Sequence, residues 1–166
     1  MSVRVWIPGL LLAAAPALAE FRTIDQRFGG ISCDSCAASL EKSISRMRGV
    51  ESIEISMEGG VARVRLKEGN TIQLDALRDR FKAVGFTPGE ADVTAVGIPR
   101  LENGAWSLEL ETGLKHPLVL GEEEKRRSGD LERAPGGTIV VHGRAGTPAN
   151  PIEPAAIHVT RVDAGE

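Results

Sequence analysis

The stretch Gly29-Gly30-Ile31-Ser32-Cys33-Asp34-Ser35-Cys36 constrains this chain more than any other. It holds the only two cysteines in 166 residues, and the helix-like run Ala37-Ala38-Ser39-Leu40-Glu41-Lys42 follows directly. Two thiolates in a C-x-x-C can both point at one soft ion, and thiolates select Cu(I), Zn(II) and similar metals over hard cations. A helix that starts at the second cysteine adds a positive end, which favours the thiolate form. Redox dithiols share the spacing, so the motif by itself leaves metal binding and thiol–disulfide chemistry both open.

Spaced landmarks around the motif narrow the choice. Gly30-Ile31-Ser32-Cys33-x-x-Cys36 is followed by Gly49-Val50 at the end of a helical stretch and by Gly85-Phe86 at the end of a second one. This order resembles the heavy-metal-associated domain family of copper chaperones, N-terminal modules of metal-transporting ATPases and the periplasmic mercury-binding protein. The resemblance covers about residues 22 to 97. It implies a ferredoxin-like βαββαβ sandwich with Cys33 and Cys36 as metal ligands. The favoured metal is Cu(I), then Hg(II), then Zn(II) or Cd(II). Ile31 replaces the family's usual Met, a side chain that packs under the loop. Family members suited to Zn(II) often carry Asp before the first cysteine, where this chain has Ser32, while Asp34 is expected to face solvent or help start the helix. Phe86 matches an aromatic beside the metal loop, with a reading as a lid over the metal and another as core.

Residues 1–19 read as a leader rather than as part of the fold. Arg4 precedes an apolar run from Trp6 to Leu18, and Ala17-Leu18-Ala19 supplies small residues before Glu20. That pattern marks a secretory signal peptide. The run is too short for a comfortable span and carries Pro8 and Pro16. Export to the periplasm is the expectation. The net charge of −3 gives no support to nucleic-acid binding, which needs a clustered basic face.

Hydrophobic periodicity divides the rest. Ile24, Gln26 and Phe28 alternate with charged residues as a strand, and Leu40, Ile44 and Met47 continue from Cys36 as a helix stripe over 34–47. Strands are expected at Ile53–Met57 and Ala62–Leu66, around a Glu58-Gly59-Gly60 turn. Leu74, Leu77, Phe81 and Val84 mark a second helix over 71–84, and a short last strand falls near Asp92–Val96. The first domain is therefore 20–97, with 22–97 holding every element needed to fold alone.

Beyond Gly97-Ile98-Pro99 the texture changes. Strand-like runs at Trp106–Leu110, Pro117–Leu120, Thr138–Val141 and Ala156–Val162 are separated by turns and by the charged run Glu122–Arg127. They suggest a small all-β unit over 98–166, an OB-like or other compact barrel. Met47 and Met57 fit core stripes better than metal sites. His116, His142 and His158 show no ligand spacing, although the last two would form a second site if adjacent strands brought them into register. No nucleophile is paired with a positioned His and there is no phosphate loop, so the chain is read as a non-enzymatic, monomeric metal carrier. Its expected partner is a metal-transporting membrane protein or another thiol acceptor. A periplasmic mercury(II)-binding protein is the alternative, and a thiol–disulfide redox protein comes after it.

Overall fold

The computed structural model describes residues 20–30, 33–122, 125, 137–148 and 153–165. The leader, Ile31, Ser32 and most of the charged run after Gly121 lie outside the described residues. The elements in chain order are β1 (Glu20–Gly30), α1 (Asp34–Ser45), β2 (Val50–Ser56), β3 (Val61–Leu66) and α2 (Leu74–Ala83). They are followed by β4 (Phe86–Glu102), β5 (Ala105–Glu109), β6 (Lys115–Val119), β7 (Ile139–Ala145) and β8 (Ile157–Ala164).

The first half forms the expected ferredoxin-like unit. Its four antiparallel strands lie in the order β2-β3-β1-β4. Alternation sends Ile24, Ala62, Val64 and Leu66 to one face, and an irregularity between Phe21 and Thr23 brings Phe21 to it as well, all at most 6% exposed. Leu40 and Ile44 of α1, with Leu74, Leu77 and Phe81 of α2, close over that face and are themselves almost fully buried. Each such side chain contributes roughly 1.5–3 kcal/mol by leaving water.

The last strand departs from the expectation. It is not a short segment near 92–96 but 17 residues long, and it runs unbroken through 97–98, where the texture of the sequence changes. Along one edge it pairs with β1. Along the other it pairs first with β7, from Ala91↔Ala145 to Gly97↔Ile139, and then with β5, from Ile98↔Glu109 to Glu102↔Ala105. Since β5 pairs with β6, β6 runs parallel to β8, and β8 pairs with β7, strands β4-β5-β6-β8-β7 close a ring. At the change of partner sits Gly97, where a Cβ would stand 2.7 Å from Leu108 Cγ and 2.9 Å from the Glu109 carbonyl oxygen. Only the absence of a side chain lets β5 cross so close.

The two halves share one core as well as one strand. Leu108, Leu118, Ile139, Val141, Ile157 and Val159 from the ring belong to the same buried cluster as the residues under α1 and α2. Arg78 of α2 joins them by polar contacts. Only 2% exposed, it donates from Nε to Gln26 Oε1 (3.2 Å) and from Nη2 to the carbonyls of Gly89 (3.4 Å) and Ala145 (3.2 Å). On the opposite, helix-free face, a register row crosses six strands: Glu54, Arg63, Asp25, Asp92, Arg144 and His158.

A shared strand and a shared core predict one cooperative transition. In a chain starting at Glu20, Trp106 is the sole tryptophan and reports the ring, while the far-ultraviolet signal of the helices reports the first half. We expect both probes to give the same urea midpoint. Separate midpoints would mean that the halves unfold as independent units.

Candidate metal centre

β1 ends in Gly29 and Gly30, and the chain turns there into the cysteine loop. Gly30 has φ +118°, and a Cβ on it would lie 3.2 Å from the Gly85 carbonyl oxygen, so the loop can settle against the start of β4 only with glycine here. Gly30 and Phe86 are register partners in the β1–β4 ladder. Phe28, near the end of β1, packs on Phe86 and Phe81 with ring centroids 5.0 and 5.6 Å apart. Phe86 is 4% exposed, which makes it core in this structure.

Cys33 is the N-cap of α1. Its extended backbone (φ −141°, ψ 140°) places Sγ to accept the Cys36 N–H at 3.1 Å, and its carbonyl accepts from Cys36 and Ala37 at 3.0 and 3.1 Å. A sulfur thus takes the place of the hydroxyl or carboxylate that usually satisfies the first free N–H groups of a helix. The Ser35 hydroxyl lies 3.3 Å from the same sulfur. Cys36, one turn into α1, is half-buried and packs against the core.

The two cysteines are joined in a disulfide, with their Cα atoms 5.2 Å apart. Sequence reasoning brought Cys33 and Cys36 to one point and left their oxidation state open. The bond occupies both sulfurs, so the pair must be reduced before either can ligate a metal. The expectations that concern Ile31 and Ser32 lie outside the described residues, as does the Asp34 side chain. Met47 and Met57 are partly buried against the core, consistent with stripe positions.

Residues 27–87 match the heavy-metal-associated domain family. Mercuric reductase from Shigella flexneri is 30% identical over 70 residues, which are 42% of this chain and 12% of that protein. This chain therefore corresponds to only a small part of the reductase. Among solved structures, the yeast copper transporter domain Ccc2a is 19% identical, with 40% of this chain and 90% of that one covered and a TM-score of 0.37. A copper-binding domain of a P-type ATPase is 21% identical, with 43% and 92% covered and the same TM-score of 0.37.

The three histidines do not join the cysteine centre. His142 and His158 lie on the neighbouring strands β7 and β8, but their register partners are Arg161 and Arg144. His142 Nδ1 meets Thr94 Oγ1 at 3.1 Å, and its Nε2 lies 2.8 Å from Arg161 Nη2 and 3.2 Å from Asp163 Oδ2. His116 is the group that sequence reasoning undervalued. It alternates with Leu118 in β6 and so points inward, 2% exposed, edge-on to Phe21 and with Nδ1 3.0 Å from the Ala155 carbonyl oxygen. Its Nε2 has no hydrogen-bond partner among the described residues.

Burial holds the His116 imidazole below its ordinary pKa of 6.5, against the opposing pull of the Ala155 carbonyl and Asp75. The unfolded chain therefore takes up this proton first as pH falls. Stability is full above pH 6.5 and declines as pH drops below it toward the folded value. Urea unfolding at pH 7.5 and pH 5.5 should show that loss in the native sequence and a smaller one in His116→Gln. Equal losses in the two proteins would assign the dependence to other groups.

Proposed function

We propose, for a chain whose residues 27–87 belong to the heavy-metal-associated domain family, that the reduced Cys33–Cys36 pair binds one Cu(I) ion and passes it to thiols of another protein. The observation that carries this reading is the pair of sulfurs on one helix N-terminus with so few other donors. Among the described residues, no group of three or more His, Cys, Asp or Glu is placed to hold a metal. A two-sulfur site suits a soft ion of low coordination number, whereas structural Zn(II) almost always takes four ligands. Low coordination also leaves room for an incoming thiolate, so the ion moves by ligand exchange without a change of oxidation state. Hg(II) is the second reading, favoured by the similarity to part of a mercuric reductase.

The loop supplies what such exchange requires. Around the oxidised pair, the Cys36 N–H and the Ser35 hydroxyl lie within hydrogen-bond distance of the Cys33 sulfur, positions from which they would stabilise its thiolate after reduction. Phe28, Phe81 and Phe86 form an apolar cluster where β1 and β4 meet, at the end of the strand that leads to the cysteines. The protein acts as a carrier rather than a catalyst, with a thiol-bearing metal transporter or another thiol site as acceptor. The second half is read as an OB-like barrel. This is supported by its five-stranded ring with a parallel β6–β8 pair, and by the first strand of the ring pairing on both sides.

Titration of the reduced protein with Cu(I) against a chromogenic chelator should give one tight equivalent, with proton release that weakens binding as pH falls. Cys33→Ser and Cys36→Ser should each lose it. Wild-type affinity in either variant would remove the two-thiolate site, and a preference for Zn(II) under equal competition would remove the copper assignment alone.

Export to the periplasm is part of the same proposal. Glu20 is already the first residue of β1, and its buried carboxylate accepts from Asn70 N (2.7 Å) and Nδ2 (3.1 Å). A chain cut after Ala19 thus keeps the whole strand. Mass spectrometry of the exported fraction should find a chain beginning at Glu20; an intact, membrane-held Met1 form would refute the leader.

A further inference from the structure

The ring closes one end of the sheet and leaves the other end open. Strands β1 and β3 to β8 are each hydrogen-bonded on both sides over at least part of their length. By contrast, β2 has β3 on one side and no strand on the other among the described residues. Its outer row of N–H and C=O groups is a template for another strand. Proteins usually blunt such an edge with lysine, proline or a bulge. Val50–Ser56 contains no lysine, arginine or proline, and its register shift lies between Val50 and Ser52, which leaves 52–56 regular.

The side chains make this edge complementary to itself. Ser52 and Glu54 are exposed on the helix-free face, and their register partners on β3 are Arg65 and Arg63. Arg63 is engaged by Asp25 at 3.6 Å, whereas Glu54 and Arg65 have no ion-pair partner among the described residues. Ile53 and Ile55 point to the other face, where they are only partly buried against the core.

We propose that two copies of this chain pair through β2 as antiparallel neighbours, about a two-fold axis at Ile53 that stands perpendicular to the sheet. The assembly is then a dimer rather than the monomer expected from the sequence. An antiparallel pairing centred on one residue keeps every side chain on its own face. With Ile53 at the centre, Ser52 lies opposite the partner's Glu54, and Glu54 lies opposite the partner's Ser52. A centre at Glu54 would set two carboxylates directly opposite, which is unfavourable. A centre at Ser52 would run the ladder into the irregularity at Val50, and centres further out shorten it.

This register answers the charges that each copy leaves unpaired. Arg65, Ser52, the partner's Glu54 and the partner's Arg63 form one row across four strands, and the two-fold repeats it. Arg65 and the partner's Glu54 start two strand spacings apart, about 10 Å. Ser52 between them is short enough for the two long side chains to meet above it. On the helix-covered face, the two Ile53 side chains meet at the axis and cover the surface that each leaves open.

The test is sedimentation of the exported chain in its oxidised, metal-free form, so that neither a shared metal nor a disulfide between copies can join them. The mass should rise reversibly from monomer to dimer with concentration, and β2 amides should gain protection from hydrogen exchange over the same range. Ser52→Glu sets a carboxylate opposite each Glu54 and should weaken the dimer about tenfold. Adding Glu54→Ser returns one carboxylate and one hydroxyl to each row and should restore the dimer. Both positions are exposed, and unchanged urea midpoints of the dilute variants will show that the fold survives. A monomer at every concentration would leave the edge to some other chain and overturn the dimer. A dimer indifferent to Ser52→Glu, or a double variant no tighter than the single one, would overturn the register. With no metal and no free thiol in the assay, its outcome is independent of the Cu(I) titration.

Discussion

Both edges of β4 are hydrogen-bonded, and the rest of the architecture follows from that constraint. In a four-stranded ferredoxin-like sheet with the order found here, β4 would be an outer strand with a row of unpaired N–H and C=O groups. Here the 91–97 stretch of that edge is taken by β7 and the 98–102 stretch by β5. One strand cannot hold two partners along the same edge unless the sheet bends between them. The bend falls at Gly97, and it carries β5, β6 and β8 around until the ring meets β7 again. The core is continuous for the same reason, because the face of β4 that lies under the helices is also the inner face of the ring.

This construction also sets the surroundings of the cysteine loop. The amino end of β4 fixes Gly30 by register with Phe86, and Phe86 in turn packs on Phe28. Cys33 then falls at the start of α1, where one sulfur serves both as helix cap and as reactive group. Arg78 ties α2 to the carboxyl end of β7 through the Ala145 carbonyl, so the helix beside the loop is held by the far half of the chain. Removing that guanidinium takes a donor from the buried Ala145 carbonyl and from Gln26 Oε1, while the Gly89 carbonyl keeps the Gln26 amide, so the polar tie between α2 and β7 is what is lost.

Much of this was legible in the sequence. The alternation of Ile24, Gln26 and Phe28, the stripes of both helices and the glycines after them mark the ferredoxin-like half, and the C-x-x-C marks its reactive loop. The four strand-like runs of the tail correspond to β5 through β8. What stayed hidden was the length of β4. The strand was expected only near Asp92–Val96, and Gly97-Ile98-Pro99 read as the place where the texture changes. Proline is tolerated in strands at bulges and edges, and Pro88 lies beside the β1 irregularity between Gln26 and Phe28. Glycine at 97 reflects close packing rather than a turn. Arg78 was equally hard to read, since its burial depends on Ala145, which is distant in sequence, and no local period carries that information.

The order in which the chain is made gives β4 a further consequence. Its inner partner β1 precedes it, so the first sheet can assemble as soon as residue 97 is available. β7, which covers the other edge, does not begin until Ile139. During synthesis there is an interval in which β1 to β4 are all available while one edge of β4 is bare and the part of the core that the later strands supply is missing. Exposed edges template pairing with other chains, and pairings distant in sequence form slowly. Whatever protects the nascent chain must cover that edge until the last two strands arrive.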